Sequence, residues 1–236
     1  MSRPSIRRAL RRAGVAVPPR VPRSGAPGNL GRIPPPKIFL PGEPEDAGAV
    51  DFSAVFGRAA PIEMEIGVGK GTFLLAAAAA QRDRNWFGLE IEPEYAEIVR
   101  LRAARAGLSN LRVERLDGKA FVMRRLSAGC LDGLHVYFPD PWPKKRHHKR
   151  RLVDAAWAEA AARALAPACV LRVASDHEEY FALIDEVLSK EPLLEKVGPE
   201  EAGDWSTGTS YELKFRKSGR PIYRAVFRRR PSGSVR

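Results

Sequence analysis

PIEMEIGVGKGTFLLAAAAAQ, residues 61–81, is the stretch that decides the fold. PIEMEIGV reads as a strand, and GTFLLAAAAAQ as a helix, because Ala and Leu are strong helix formers. Gly67, Gly69 and Gly71 lie at the junction. Glycines at a strand-to-helix turn let the chain bend tightly and let a ligand approach the backbone closely. Outward from there the alternation repeats. NWFGLEI (85–91) predicts a second strand and PEYAEIVRLRAARAG (93–107) a second helix, with Pro93 suited to its first turn and Gly107 to its end. LRVERL (111–116), LDGLHVYF (131–138) and CVLRVAS (169–175) predict further strands. GKAFVMRRL (118–126), RLVDAAWAEAAARAL (151–165) and HEEYFALIDEVLSK (177–190) predict helices. In YELKFRKSGRPIYRAVF (211–227) two period-2 runs flank Ser218-Gly219, a hairpin signal. The pattern is that of an α/β fold: a mostly parallel sheet, helices on both faces and an antiparallel C-terminal hairpin.

Three strand ends carry acids. Glu65 sits just before the glycine turn. Glu90 ends the second strand, at the spacing where a carboxylate accepts hydrogen bonds from both ribose hydroxyls. Asp117 follows the third strand, where an acceptor could meet an adenine amino group. Phosphate-binding readings fit poorly. Lys70 is followed by Gly71, not by the Ser or Thr of a Walker loop, and Thr72 stands where a dinucleotide fingerprint wants Gly or Ala. Glu65 would repel a pyrophosphate and attract a cationic amino-acid end. S-adenosylmethionine offers an ammonium, a sulfonium and a ribose diol, with no phosphate. Three carboxylates after three successive strands match it. The alternative is that these are solvated strand-end acids.

A second informative stretch is YFPDPWPKKRHHKRR, residues 137–151. Asp140 is held between Pro139 and Pro141, and Trp142 and a basic run follow. Open α/β sheets place their chemistry at strand ends, and a basic run gives phosphate a place to dock. A carboxylate beside a phosphate clamp and an aromatic ring points to an enzyme acting on a nucleic-acid base. The competing reading is a Pro-rich turn before a solvated helix start. Trp142 could stack on a base or plug the turn. His147 and His148 sit among cations that would repel a metal, so no metal site is expected. Asp176 ends RVASD, as a second acceptor or as the N-cap of a helix starting near His177.

Charge is unevenly placed. The net charge is +12, yet 24 of the 40 cations lie in residues 1–37, 144–151 and 214–236, which hold no Asp or Glu. The rest has 16 cations against 28 acids. An acidic body with basic surfaces favours a directed polyanion partner. A membrane surface could also attract such patches, but no apolar stretch approaches the ~20 residues needed to span a bilayer. Cys130 and Cys169 form no CxxC pair, which argues against a disulfide framework and suits a reducing cytoplasm. Residues 1–50 read as a basic, Pro-rich, disordered arm and 51–236 as the folded domain. Ten of the twenty prolines fall in residues 1–44. An organellar transit peptide is the other reading of that arm. The oligomeric state, monomer or homodimer, is left open.

From Pro61 to Phe227 the chain resembles the bacterial tRNA (guanine-N7-)-methyltransferases. The matching motifs, in order, are EIGVGKG, FGLEIEPEY, RLDGKA, YFPDPWPKKRHHKRR, RVASDHEEY and TSYELKFRKSGRPIY. PDPWPKKRHHKRR is highly specific, whereas the glycine turn alone is weak. The resemblance implies a Rossmann-like class I methyltransferase with a seven-stranded sheet whose edge strand is antiparallel. It implies S-adenosylmethionine contacts at Glu65, Glu90, Asp117 and Asp140. It implies tRNA contacts at Lys144, Asp176 and Thr209, Ser210, Tyr211 and Glu212, with Arg146, His147, His148, Lys149, Arg150 and Arg151 touching RNA. Asp140 is the expected catalytic residue, and the variable-loop guanine of tRNA, numbered 46, the expected target.

Overall fold

A computed structural model describes residue 40, residues 47–198 and residues 221–231. All lie within one compact unit, Pro36–Arg236. The arm at 1–37, the segment Thr209–Glu212 and the Ser218-Gly219 turn lie outside the described residues.

A short helix, α1 (Phe52–Phe56), precedes the alternation. Asp51 caps it, accepting from the N–H groups of Ser53 and Ala54. Then come β1 (Ile62–Ile66), α2 (Thr72–Ala80), β2 (Asn85–Leu89), α3 (Pro93–Arg105), β3 (Leu111–Glu114) and α4 (Gly118–Arg125). β4 (Leu131–Tyr137), a 3-10 turn of helix at Lys145–Arg150, α5 (Ala155–Ala164), β5 (Leu165–Ser175), α6 (Glu178–Ser189), β6 (Leu194–Val197) and β7 (Tyr223–Arg229) complete it. The strands form one seven-stranded sheet in the order β3-β2-β1-β4-β5-β7-β6. β1 to β5 pair in parallel, and β7 runs antiparallel to both β5 and β6. The antiparallel strand expected at the C-terminus is therefore present, one place in from the edge. β6, a strand the sequence pattern did not signal, takes the edge.

The two faces differ. One buries α1, α4, α5 and α6 on Ile62, Met64, Ile66, Phe87, Leu89, Leu134, Val136, Leu171 and Val173. The other buries α2 and α3 on Trp86, Leu111 and Val113. α2 and α3 meet closely. A Cβ on Gly71 would lie 2.6 Å from a Val99 methyl, and its φ of 69° suits glycine besides. Only a residue without a side chain fits there.

α5 stops at Ala164, and β5 begins at the next residue, four earlier than CVLRVAS suggests. Leu131 pairs with Leu165 but Gly133 pairs with Val170, so β5 carries extra residues between its two paired parts. Pro167 and Ala168 (φ 66°) fall there, which explains why a proline sits inside a strand. No helix among the described residues is long and apolar enough to cross a membrane.

Candidate functional site

β1 and β4 are neighbours, in register through Ile66 and Val136. The turns that follow them therefore leave the sheet side by side, at its C-terminal edge. The first is the glycine turn, with Gly67 and Gly69 at φ 79° and 51°. A side chain on Gly67 would meet nothing within 4 Å, so the backbone there faces open space. Glu65 beneath it is 3% exposed, and its Oε2 has no hydrogen-bond partner among the described residues. Burial, and then the charge of Glu90, push its carboxyl well above the ordinary value. An isolated buried carboxylate is costly unless a cation arrives to pair with it.

Glu90, at the end of β2, is ordered differently. Its Oε2 accepts the Gly69 N–H (2.7 Å) and its Oε1 the Glu92 N–H (2.9 Å). Burial raises its carboxyl, and those backbone bonds oppose the rise. Each oxygen keeps a lone pair, so the group locks the glycine turn and can still receive hydroxyls. Asp117 caps α4, its Oδ1 accepting the Ala120 N–H (2.9 Å), which leaves Oδ2 for another partner.

The second turn follows β4. Phe138 and Trp142 both have positive φ, 54° and 43°, and bracket Pro139-Asp140-Pro141. Left-handed conformations cost a non-glycine residue about 1–3 kcal/mol each, and they cluster where surroundings enforce them. Asp140 is exposed. The Phe138 N–H donates to Ala174 on β5 (2.7 Å), and Arg151 Nε donates to the Pro141 carbonyl (2.9 Å). Between them the basic run forms the 3-10 helix. Lys145, Arg146, Lys149 and Arg150 are exposed on it, as is Lys144 just before it, while His147 and His148 are half-buried. Trp142 packs within this segment, with the Arg150 guanidinium 4.9 Å over its ring and His147 edge-on at 5.8 Å.

Asp176 follows the end of β5, the next strand after β4, and so lies on the same edge. It is not the cap of α6. His177 is, its Nδ1 accepting the Tyr180 N–H (3.3 Å). The capping alternative for Asp176 is thereby removed. Thr209, Ser210, Tyr211 and Glu212 fall outside the described residues.

With that geometry in place, comparison with known proteins is informative. A methyltransferase family model, Methyltransf_4, matches residues 59–225. A Cupriavidus necator protein named tRNA (guanine-N(7)-)-methyltransferase is 38% identical over 83% of this chain and 75% of its own length. A protein of the same name from Chromobacterium violaceum is 38% identical over 83% of this chain and 86% of its own. The chain belongs to the tRNA (guanine-N(7)-)-methyltransferase family. Among solved structures, the aminoglycoside resistance methyltransferase NpmB1 matches with TM-score 0.53 at 18% identity, over 75% of this chain and 91% of that one. The 16S rRNA methyltransferase KamB matches with TM-score 0.53 at 16% identity, over 78% and 96%. Both share the fold.

For a member of this family, one group near the site went unread in the sequence. Beneath the two turns, on the face that α2 covers, Glu63, His135 and Tyr137 form a buried chain. His135 Nε2 lies 2.8 Å from Glu63 Oε2, and its Nδ1 2.9 Å from the Tyr137 hydroxyl. Arg84 pairs with the other Glu63 oxygen at 2.8 Å. Burial pushes the imidazole below its usual range, against the Glu63 carboxylate that raises it. Burial also raises Glu63, but the His135 hydrogen bond and the positive charges of Arg84 and Arg172 oppose it and hold it low. A neutral imidazole must then donate Nε2–H to the carboxylate, leaving Nδ1 to accept from the Tyr137 O–H. Gly133 makes the room, since a Cβ there would sit 1.9 Å from Glu63 Oε2. The signal was present: Glu63 and Glu65 are two acids at period 2 in one strand, with a histidine in the next apolar run.

Proposed function

We propose that the protein transfers the methyl group of S-adenosylmethionine to N7 of a guanine in tRNA, at variable-loop position 46. One observation carries the reading: a buried carboxylate, Glu65, whose Oε2 has no partner among the described residues, lies beside a glycine turn that shares its sheet edge with the strained Asp140 turn and a basic helix. The names of the relatives supply the tRNA guanine, and the family resemblance supplies position 46.

The residues fit the donor. Glu65 Oε2 offers a buried anion to an ammonium, the open space at Gly67 admits a ligand against the backbone, and Glu90 offers acceptors to a ribose diol. Asp117 Oδ2 offers an acceptor to the adenine amino group. When bound, the donor presents a methyl group on a cationic sulfur. Guanine N7 carries an in-plane lone pair, so no proton has to be removed from it and the chain needs no general base. Its residues act by alignment and charge placement. Asp140 accepts from guanine N1–H and N2–H₂ and offsets the positive charge that the base acquires. Asp176 is a second acceptor on the same edge. Thr209, Ser210, Tyr211 and Glu212 complete the substrate pocket on the family pattern. Lys144, Arg146, His147, His148, Lys149 and Arg150 hold the RNA backbone. The acid-free arm at 1–37, which precedes the residues that match the family model, adds phosphate attraction.

The test is tritiated methyl transfer into total tRNA, followed by mapping of the modified base. Transfer to N7 of guanine 46 is expected. Transfer only to protein, to a small molecule or to another base would overturn the reading. Asp140→Asn keeps the shape but places an amide donor where an acceptor is needed. Its single-turnover rate should fall by one to three orders of magnitude, with tRNA affinity changed less than threefold. A wild-type rate would reduce Asp140 to a turn residue.

A further inference from the structure

We propose that Arg151, which closes the basic run, does not contact RNA but is the positioning residue that holds the Asp140 turn in shape. The inference rests on the role given to Asp140 above. A turn containing Pro139 and Pro141 lacks two of its own N–H donors. It has positive φ on both sides, at Phe138 and Trp142. Such a turn keeps its conformation only where neighbours hold it. Its entry is held by the Phe138 N–H on the Ala174 carbonyl, and its exit by Arg151 Nε on the Pro141 carbonyl.

Arg151 is itself fixed from three sides. Its guanidinium lies 4.8 Å over the ring of Tyr180, which is wholly buried in α6. That ring is anchored at its far end, where the hydroxyl accepts the Val153 N–H (3.4 Å). The Arg151 N–H donates to the His148 carbonyl (2.9 Å). The Arg151 carbonyl accepts from Lys119 Nζ (2.9 Å), and Lys119 in turn pairs with Asp154, the cap of α5. The other cations of the run are exposed, and Arg150 lies on Trp142 within the run. Among the run's described side chains, Arg150 and His147 pack on the Trp142 ring, and Arg151 is the one that hydrogen-bonds the backbone of the turn that carries Asp140. A lysine would keep the charge but could not both lie flat on Tyr180 and aim a planar N–H at Pro141.

The experiment uses the full chain with Arg151→Lys, Arg151→Gln and, for comparison, Lys149→Gln. Single-turnover methyl transfer is measured at saturating tRNA and S-adenosylmethionine, and tRNA affinity across a salt series. Both Arg151 variants should lose at least tenfold in rate. Their tRNA affinity should stay within twofold, with an unchanged slope of log affinity against log salt and unchanged calorimetric cofactor binding. Lys149→Gln should flatten the slope by about 0.9, the value of one phosphate contact on a duplex. A wild-type rate in Arg151→Lys overturns the proposal. So does a slope flattened by about 0.9 in Arg151→Gln, or a rate loss that merely tracks weakened cofactor binding and a lowered melting temperature. If Arg151→Gln does not fold, Arg151→Lys decides. The salt slope reads Arg151 even if wild-type protein transfers no methyl group to tRNA, an outcome that would instead overturn the functional reading.

Discussion

Glu65 is held at a cost to the unliganded protein. Its carboxyl is buried, its Oε2 has no hydrogen-bond partner among the described residues, and it is raised well above 4.5, first by burial and then by Glu90. The unfolded chain ionises near 4.5 while the folded chain keeps the proton to higher pH. This group therefore costs nothing below about pH 4.5, and stability falls as pH climbs toward the folded-state value. Glu65→Gln should accordingly raise the melting temperature of the free protein at pH 7, by about 1–3 kcal/mol of stability, and leave it unchanged at pH 4. The same substitution should weaken S-adenosylmethionine binding by roughly ten- to a hundredfold, the loss of a charge-assisted hydrogen bond. Thermal melts at the two pH values and calorimetry decide it. A variant that is no more stable at pH 7 would mean that Glu65 finds a partner in the free protein. Trade-offs of this kind are general where a site waits for its ligand.

At the scale of elements, β1 and β4 are joined by more than their ladder, because Glu63, His135 and Tyr137 bridge them on one face. Glu63 has a lowered folded-state carboxyl, so it contributes stability above about pH 4.5 that is lost as pH falls through the folded value. Glu63→Ala should cost about 1–3 kcal/mol at neutral pH, and the gap to wild type should narrow below pH 4.5. Urea titrations at pH 7 and pH 4 measure this, and an equal gap at both would refute an ionised Glu63. The elements themselves were largely legible. Alanines and leucines gave α2, Pro93 and Gly107 bounded α3, and period-2 runs gave the strands. β6 was not, since LEKV is a short amphipathic edge strand with no turn signal of its own. The start of β5 was not, since Pro167 reads as a stop when it actually lies in the irregular part of a strand. At the site, single acids at strand ends were visible in sequence, because the strand pattern fixes where a strand ends. The partners of Arg151 and His135 were not, because they come from elements remote in the chain. His177 as a cap was hidden by the commoner choice of aspartate beside it.

Over the whole molecule, charge is segregated, with an acidic body and basic segments at 1–37, 144–151 and 214–236. The segment at 144–151 adjoins Asp140, whereas the arm precedes the residues that match the family model. Deleting residues 1–37 should flatten the salt dependence of tRNA binding and weaken it at moderate salt. Turnover at saturating tRNA should change less than twofold. Parallel salt titrations and single-turnover rates test this, and lost turnover at saturation would give the arm a place in the reaction itself. The junction of α5 with β5 has a different bearing. Ala164 passes to Leu165 with no connector, and Arg229 of β7 clasps the carbonyls of Arg163 and Leu165 on either side. The irregular part of β5 around Pro167 and Ala168 follows at once, exposed and at the opposite end of the strand from Asp176. A fluorophore or short epitope spliced in after Pro167 would therefore report on the working enzyme from its far side, while the same insert three residues earlier would break the hinge between helix and sheet.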